Sequence, residues 1–251
     1  MSLLLRRRQV GVPIQVPYGL RFNYATEGTW LSTANENNFD FGSNSFSFTF
    51  YFQVNALGTQ GIISKRTGGN NGYFVYTNGR RIYLSMYNGS LYVLLTPAVC
   101  TPGIKYYTTI NIKKETSGWT YDIYIDNTLQ ATHFESNNNN FDNVNSFEIS
   151  RENLTSPGSP TGMDGYLYDL KCFSKELTGA ERIELYNSKG EVILLTAQSS
   201  LIADWRFNDA EGFGAIDETG NNNASLTSYT VPQTTRGVDN YWVDKNNNPI
   251  L

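Results

Sequence analysis

The sequence predicts an all-β protein, an antiparallel β-sandwich carrying one short helix. Three observations predict it. Aromatic residues make up 14% of the 251 residues (17 Tyr, 14 Phe and 4 Trp), a large supply of β-formers. About one residue in nine is Asn, which is weakly helical and favours turns. Apolar and polar residues also alternate in short runs instead of recurring at a helical period. Single sandwiches routinely reach about 200–250 residues, so one large domain can hold the whole core.

Taken in order, residues 19–23 and 29–33 are expected as the first strands. Residues 45–55 follow, with Phe46, Phe48, Phe50, Phe52 and Val54 on one face and Ser47, Thr49, Tyr51, Gln53 and Asn55 on the other. That period of two puts one face in a core and leaves the other for water or a partner. Asn78-Gly79 and Asn88-Gly89 separate three β-rich runs at 73–77, 81–87 and 91–95. Both Asn and Gly accept the positive φ of a type I′ turn, so a three-stranded meander is predicted. Residues 106–113 and 119–125 form a further pair across the turn Glu115-Thr116-Ser117-Gly118. The run Asn137 to Asn140 reads as a polar spacer loop. Residues 147–150 and 165–173 complete the strands. Thr178 precedes Gly179-Ala180-Glu181, a capping box that starts a helix packed through Ile183, Leu185 and Tyr186. Gly190 is its expected left-handed stop.

Composition excludes several classes. Apolar content of 39% is too high for disorder. Nineteen Lys+Arg against 23 Asp+Glu give a net charge of −4, so no global basic field holds a nucleic acid. No apolar run approaches the ~20 residues that span a bilayer, so no membrane partner is expected. Arg6-Arg7-Arg8 reads as a surface tail, and the apolar piece before it reverses the order of a signal peptide. Cys100 and Cys172 are expected as free thiols, Cys172 within a strand.

The stretch from Met163 through Gly165-Tyr166-Leu167-Tyr168-Asp169-Leu170 to Leu177-Thr178-Gly179-Ala180-Glu181-Arg182-Ile183 resembles the closing motif of laminin-G-like, concanavalin A-like jelly rolls. Gly19-Leu20-Arg21-Phe22-Asn23, the 45–55 strand, Gly61-Ile62-Ile63-Ser64-Lys65 and Tyr124-Ile125-Asp126-Asn127 are similar to other parts of that family. The resemblance covers roughly residues 18–187 and implies a concanavalin A-like jelly roll. Residues 203–214 and 217–223 resemble the segment that usually opens such domains, here displaced to the carboxyl side. They either complete the same sandwich, as in a circular permutation, or pair with a neighbouring chain. The first reading is preferred. It gives a docking arm at 1–15 and a single jelly roll at 16–251, which residues 200–251 complete.

Chemistry is sparse. A glycosidase on this fold needs two carboxylates ~5–10 Å apart. The Glu-x-Asp-x-x-Glu strand signature is absent. Glu181 and Glu184 fall on the helix, while Asp204, Asp209, Glu211, Asp217 and Glu218 fall near Gly-rich turns. His133 is the one imidazole and no Gly-x-Ser-x-Gly elbow accompanies it. No enzyme, no cofactor and no metal ligand is therefore expected. A structural calcium would be sought first at Asp217 to Asn221, then at Asp244 to Asn248. For glycan stacking, the strand residues Tyr51, Tyr83, Tyr87 and Tyr92 are the aromatics to follow. The expected role is a non-enzymatic phage virion protein, such as a capsid decoration, head-fibre or tail component. It would bind other virion proteins through its arm and edge strands, and host glycans besides, as an oligomer or part of an assembly in the virion. The alternative is a carbohydrate-binding adhesin or module of a bacterial surface system, at the cell surface or secreted.

Overall fold

The computed structural model describes residues 19–23, 28–66, 71–87, 89–138, 140–151, 162–189, 196–208, 214–228, 242–244 and 246–248. The expected docking arm at 1–15, Gly190, Asp209 and Glu211 lie outside the described residues. The strands run β1 (Gly19–Asn23), β2 (Thr29–Thr33), β3 (Phe46–Val54), β4 (Gln60–Lys65), β5 (Gly72–Asn78), β6 (Arg81–Tyr87), β7 (Leu91–Leu95) and β8 (Lys105–Glu115). They continue as β9 (Gly118–Ile125), β10 (Thr128–Glu135), β11 (Glu148–Ile149), β12 (Asp164–Phe173), β13 (Leu201–Trp205), β14 (Gly214–Ala215), β15 (Ala224–Ser228) and β16 (Trp242–Val243). The helix α1 (Gly179–Ser188) lies between β12 and β13. One antiparallel sheet has the order β10-β9-β8-β3-β12-β1-β16, and the other β14-β15-β2-β11-β4-β5-β6-β7. One edge of β12 is shared: β1 pairs with its first half and β13 with its second. β15 pairs with β2, so residues 201–228 contribute strands to both sheets of the same chain. Among the described residues no helix is long and apolar enough to cross a membrane.

The core lies between the sheets, where the alternation in β3 aims its rings. Phe46, Phe48, Phe50, Phe52 and Val54 are all buried there. Neighbouring strands of the same sheet add Ile110 and Ile112 from β8 and Ile123 from β9, and the facing sheet supplies Val75 and Leu84 from β5 and β6. Burying each such side chain stabilises the fold by about 1.5–3 kcal/mol. Phe41 stacks on Phe46 with centroids 4.1 Å apart, and Phe39 stacks on Phe147 at the same distance. Cys100 and Cys172 are free thiols, both buried, with Cys172 in β12.

The other face of β3 is largely covered by the chain itself. Ser47, Thr49 and Gln53 are buried and Tyr51 is half-buried. The chain leaving β12 folds back over this face, so that Phe173, Leu177, Leu185 and Ala197 pack with Tyr107. The capping box is present: Thr178 Oγ1 accepts from Glu181 N, and Glu181 accepts from Thr178 N at 2.9 Å. Beside α1, Lys171 lies between Asp169 and Asp204, at 2.9 Å from the latter. Arg206 donates to Asp204 at 2.7 and 3.0 Å. Burial alone would lower the Lys171 pKa, but the two carboxylates more than offset it and hold it above its usual value. Burial raises Asp169, and its ion pair with Lys171 offsets part of that rise.

Two local expectations change. In the β5–β6 turn only Gly79 has a positive φ, +62°, which is the pattern of a type II′ turn rather than type I′. The turn with two left-handed residues is Asp126-Asn127, φ +47° and +60°, and it launches β10, a strand the sequence pattern did not announce. At the end of α1 Lys189 is left-handed, φ +44°, while the expected stop at Gly190 lies outside the described residues.

Replacing Lys171 by Met would leave Asp169 and Asp204 facing each other in a dry site. Denaturant unfolding is expected to show a loss of about 3–5 kcal/mol. A loss below about 1 kcal/mol would mean the carboxylates are solvated and the cluster is peripheral.

Candidate functional site: an asparagine-lined cleft

The chain leaving β2 makes a 3₁₀ turn at Glu36–Phe39 that is fastened from both sides. Beneath it, the fully buried ammonium of Lys65 meets Glu36 at 2.8 Å, Asp40 at 2.7 Å and the carbonyl of Asn143 at 2.5 Å. A buried charge is tolerated only with such partners. Phe39 also packs on Phe147 and Trp205, with centroids 4.1 and 6.0 Å away. The backbone that carries Asn35, Asn37 and Asn38 is thereby held before any ligand arrives.

The opposite wall is wound around Asp217. Its Oδ1 accepts from the backbone N–H of Asp204 at 2.7 Å and of Thr219 at 3.1 Å. Its Oδ2 accepts from the N–H of Asn221 at 3.2 Å, the N–H of Asn222 at 2.9 Å and the Thr219 hydroxyl. Five donors fill a carboxylate with about four lone-pair sites, so none remains for calcium. The loop favoured above for that ion is an internally saturated turn. Asp244 is similarly used: Oδ1 takes the N–H groups of Asn246 and Asn248 at 2.7 and 2.9 Å. The Asn248 backbone bond leads in lowering its pKa. Among the described residues no group of three or more His, Cys, Asp or Glu could hold a metal.

Between these walls opens a cleft of about 510 Å³, lined by Ala34, Asn35, Asn37, Asn38, Leu201, Ile202, Asn221 and Asn222. Asn38 Nδ2 donates to Asn222 Oδ1 at 2.7 Å, and Asn222 Nδ2 donates to the Ile202 carbonyl at 2.9 Å. Trp205 Nε1 donates to the Asn222 carbonyl at 3.0 Å, and Asn35 Nδ2 donates to the Asn221 carbonyl. The exposed Asn37 amide makes no hydrogen bond among the described residues. An amide offers both donors and acceptors, as a hydroxyl does, and Leu201 and Ile202 add apolar surface. None of the eight lining residues carries a nucleophile or a side chain that titrates near neutrality. The lining therefore offers hydrogen bonds and apolar contact. Sequence reasoning missed it because the two walls are 184–186 residues apart along the chain.

The residues singled out from the sequence are scattered. Tyr51 lies on the outer face of the first sheet against Tyr168 and Tyr107, at 5.1 and 6.3 Å. Tyr83 and Tyr87 point outward from β6, half-buried, with Tyr83 stacked on Tyr76 at 4.8 Å. Tyr92 turns toward the core edge and stacks on His133 at 4.0 Å. Glu181 serves the helix cap and Lys175, and Glu184 accepts from Thr196 N at 2.9 Å. Asp204 belongs to the Lys171 cluster, and Glu218 lies 3.9 Å from Arg206. Burial pushes the Cys100 thiol up to about 12 and raises that of Cys172, which makes both poor nucleophiles. On the outer face of the second sheet, Glu148 pairs with Arg151 at 2.9 Å, whose guanidinium lies over the Trp30 ring at 4.1 Å. Burial dominates the Arg151 pairing and raises Glu148 to about 7.

The laminin-G model of the concanavalin A-like lectin/glucanases superfamily matches residues 25–181, well over half of the chain. The chain belongs to this superfamily. The match takes in the Asn35–Asn38 wall of the cleft and stops before the Asp217 wall. Among solved structures, this superfamily member is similar to a carbohydrate-binding candidate from Bacteroides ovatus, at 16% identity and a TM-score of 0.62. That alignment covers 88% of this chain and 62% of the other, so the chain spans less than two thirds of that structure. It is also similar to the CBM40 of the Ruminococcus gnavus IT-sialidase, solved bound to α2,3-sialyllactose. Identity there is 14% and the TM-score 0.52, over 70% of this chain and 96% of that one. These likenesses are of fold. No curated protein matches the chain.

Two outcomes follow for this concanavalin A-like sandwich. Millimolar calcium or a chelator is expected to move the Tm by less than about 1 °C, because a ligand that binds only the native state must raise it. A calcium-dependent rise of several degrees would contradict the saturated Asp217 turn. For Glu148, the folded-state pKa of about 7 exceeds its ordinary 4.5. The folded protein therefore holds that proton more tightly, and ionisation costs stability as pH rises from 4.5 through 7. The stability difference between wild type and Glu148→Gln should shift toward the variant by about 1–3 kcal/mol between pH 4.5 and 8. A flat difference across that range would mean Glu148 is ionised in a solvated site.

Proposed function

We propose that the chain is a non-enzymatic carbohydrate-binding module whose cleft between the Asn35–Asn38 turn and the Asp217 loop takes a neutral saccharide. The observation that carries this is the lining itself: five asparagine amides beside Leu201 and Ile202, in a pre-formed concavity of about 510 Å³. Sugar hydroxyls both donate and accept, and a row of amides satisfies them without a charge to desolvate. The names of the two similar structures, one a carbohydrate-binding candidate and one bound to a sialylated sugar, support a saccharide as the ligand class. The same lining supports binding without catalysis, since it holds no general acid or base. A bacterial surface system is the setting this reading favours. The virion role expected from the sequence leaned on residues 1–15, which are outside the described residues, and no comparison speaks for it.

A glycan array should return neutral oligosaccharides, and calorimetry on the best of them should give the affinity. Asn37→Ala is expected to weaken binding about three- to tenfold, the worth of one or two neutral hydrogen bonds, with Tm unchanged because that side chain bonds nothing among the described residues. An array without a neutral ligand, or an Asn37→Ala affinity equal to wild type, would overturn the cleft as the site.

A further inference from the structure

The edge of a β-sheet presents unpaired N–H and C=O groups that can take another strand, and chains usually blunt such edges. Among the described residues β14 and β16 are two residues long, and β7 has five. β10 ends the first sheet, runs for eight residues and contains no Lys, Arg or Pro. It pairs with β9 on one side, and among the described residues its other side has no backbone hydrogen-bond partner. From the second sheet, Tyr92 of β7 stacks on His133 at 4.0 Å and packs against the inward side of the strand.

The register gives this edge a two-fold pattern. Leu129 and Phe134 are five residues apart, so in a regular strand they would face opposite ways. A bulge between Leu129 and Ala131 corrects the phase. Leu129 now lies opposite Tyr124, Thr132 opposite Asp122 and Phe134 opposite Thr120. Those β9 positions alternate with the buried Tyr121 and Ile123, so all three β10 residues are on the outward face. Leu129 and Phe134 are each 48% exposed and stand at matching positions to either side of Thr132.

We propose that β10 pairs antiparallel with β10 of a second copy about a two-fold axis at Thr132, joining the first sheets of two protomers. That axis sets Leu129 against Phe134 of the partner subunit, twice, and Thr132 against its own equivalent, with the bulged Gln130 left out of the ladder. Ala131 meets His133 of the partner subunit and Thr128 meets Glu135 of the partner subunit, so no like charges face each other. A strand of another protein would have to supply this spacing, whereas the chain's own β10 already holds it. An eight-residue edge lies at the small end of interface sizes, so the dimer is weak and concentration-dependent. The pairing uses no residue of the cleft, and its failure would leave the cleft intact.

Sedimentation equilibrium on the full chain, across the micromolar range, tests it. Wild type is expected to pass from monomer to dimer as concentration rises. Leu129→Glu and Phe134→Lys should each raise the dissociation constant about tenfold or more, since each sets a charge against an apolar side chain at both contacts. Leu129→Glu and Phe134→Lys together should restore the dimer, because opposite charges then meet twice. Leu129→Lys with Phe134→Lys sets like charges there and should stay monomeric. Thermal melts accompany each variant. If these unfold, Thr132→Cys keeps the test: mild oxidation should link two such chains, while wild type, with both thiols buried, stays unlinked. Wild type that is monomeric throughout, which would leave the edge to a strand of another protein, would overturn the proposal. So would undiminished association in either single variant, no rescue by the opposite-charge pair, equal rescue by the like-charge pair, or no linkage through Thr132→Cys.

Discussion

Asp217 is a buried carboxylate held by hydrogen-bond donors of its own chain. Satisfying it forces residues 217–222 into a tight turn against β13, because the Asp204 N–H and the Asn221 and Asn222 N–H groups must converge on two oxygens. That convergence joins β13 of one sheet to the approach of β15 in the other. Asn222 then reaches the Ile202 carbonyl and Trp205, and Trp205 packs on the same ring cluster that seats the Asn35–Asn38 turn. A carboxylate left short of donors in so dry a place would cost several kcal/mol, so the wall of the cleft is tied to the stability of the fold.

Buried lysines perform a matching task. Lys65 holds the 3₁₀ turn through Glu36 and Asp40, and Lys171 fastens β12 to β13 through Asp204. Such pairs add less to stability than their Coulomb attraction suggests, since both ions must be dehydrated. Their directional demand is what shapes the structure: each ammonium ties segments that no β-ladder joins or reinforces one that does. The first sheet is covered on its outer side by α1 and the residues near it, whereas the second keeps half-buried tyrosines and exposed leucines outward.

Legibility followed the range of the interaction. The period of two in β3 and the Thr178-to-Glu181 cap are local, and both are found as the residues suggest. β10 escaped notice because its run mixes Thr, Gln and His on a sheet edge, so no apolar face marks it, and because Asp126-Asn127 replaces an Asn-Gly turn. The cover on the outer side of β3 is not legible, because nothing near Tyr51 in sequence reveals that Leu177 and Leu185 pack over its sheet. The cleft was the least legible feature. Its asparagines looked like turn residues, which they also are, and only the fold brings Asn38 to Asn222.

The account rests most heavily on amides of that cleft meeting sugar hydroxyls. Side-chain amide resonances of an isotopically labelled chain, followed by NMR during titration with a neutral oligosaccharide, test this most directly. The account predicts that the NH₂ signals of Asn35, Asn37, Asn38 and Asn221 shift together and saturate with one affinity, while those of Asn55 and Asn111 stay still. Shifts confined to other asparagines, or no saturable shift in the four, would contradict it.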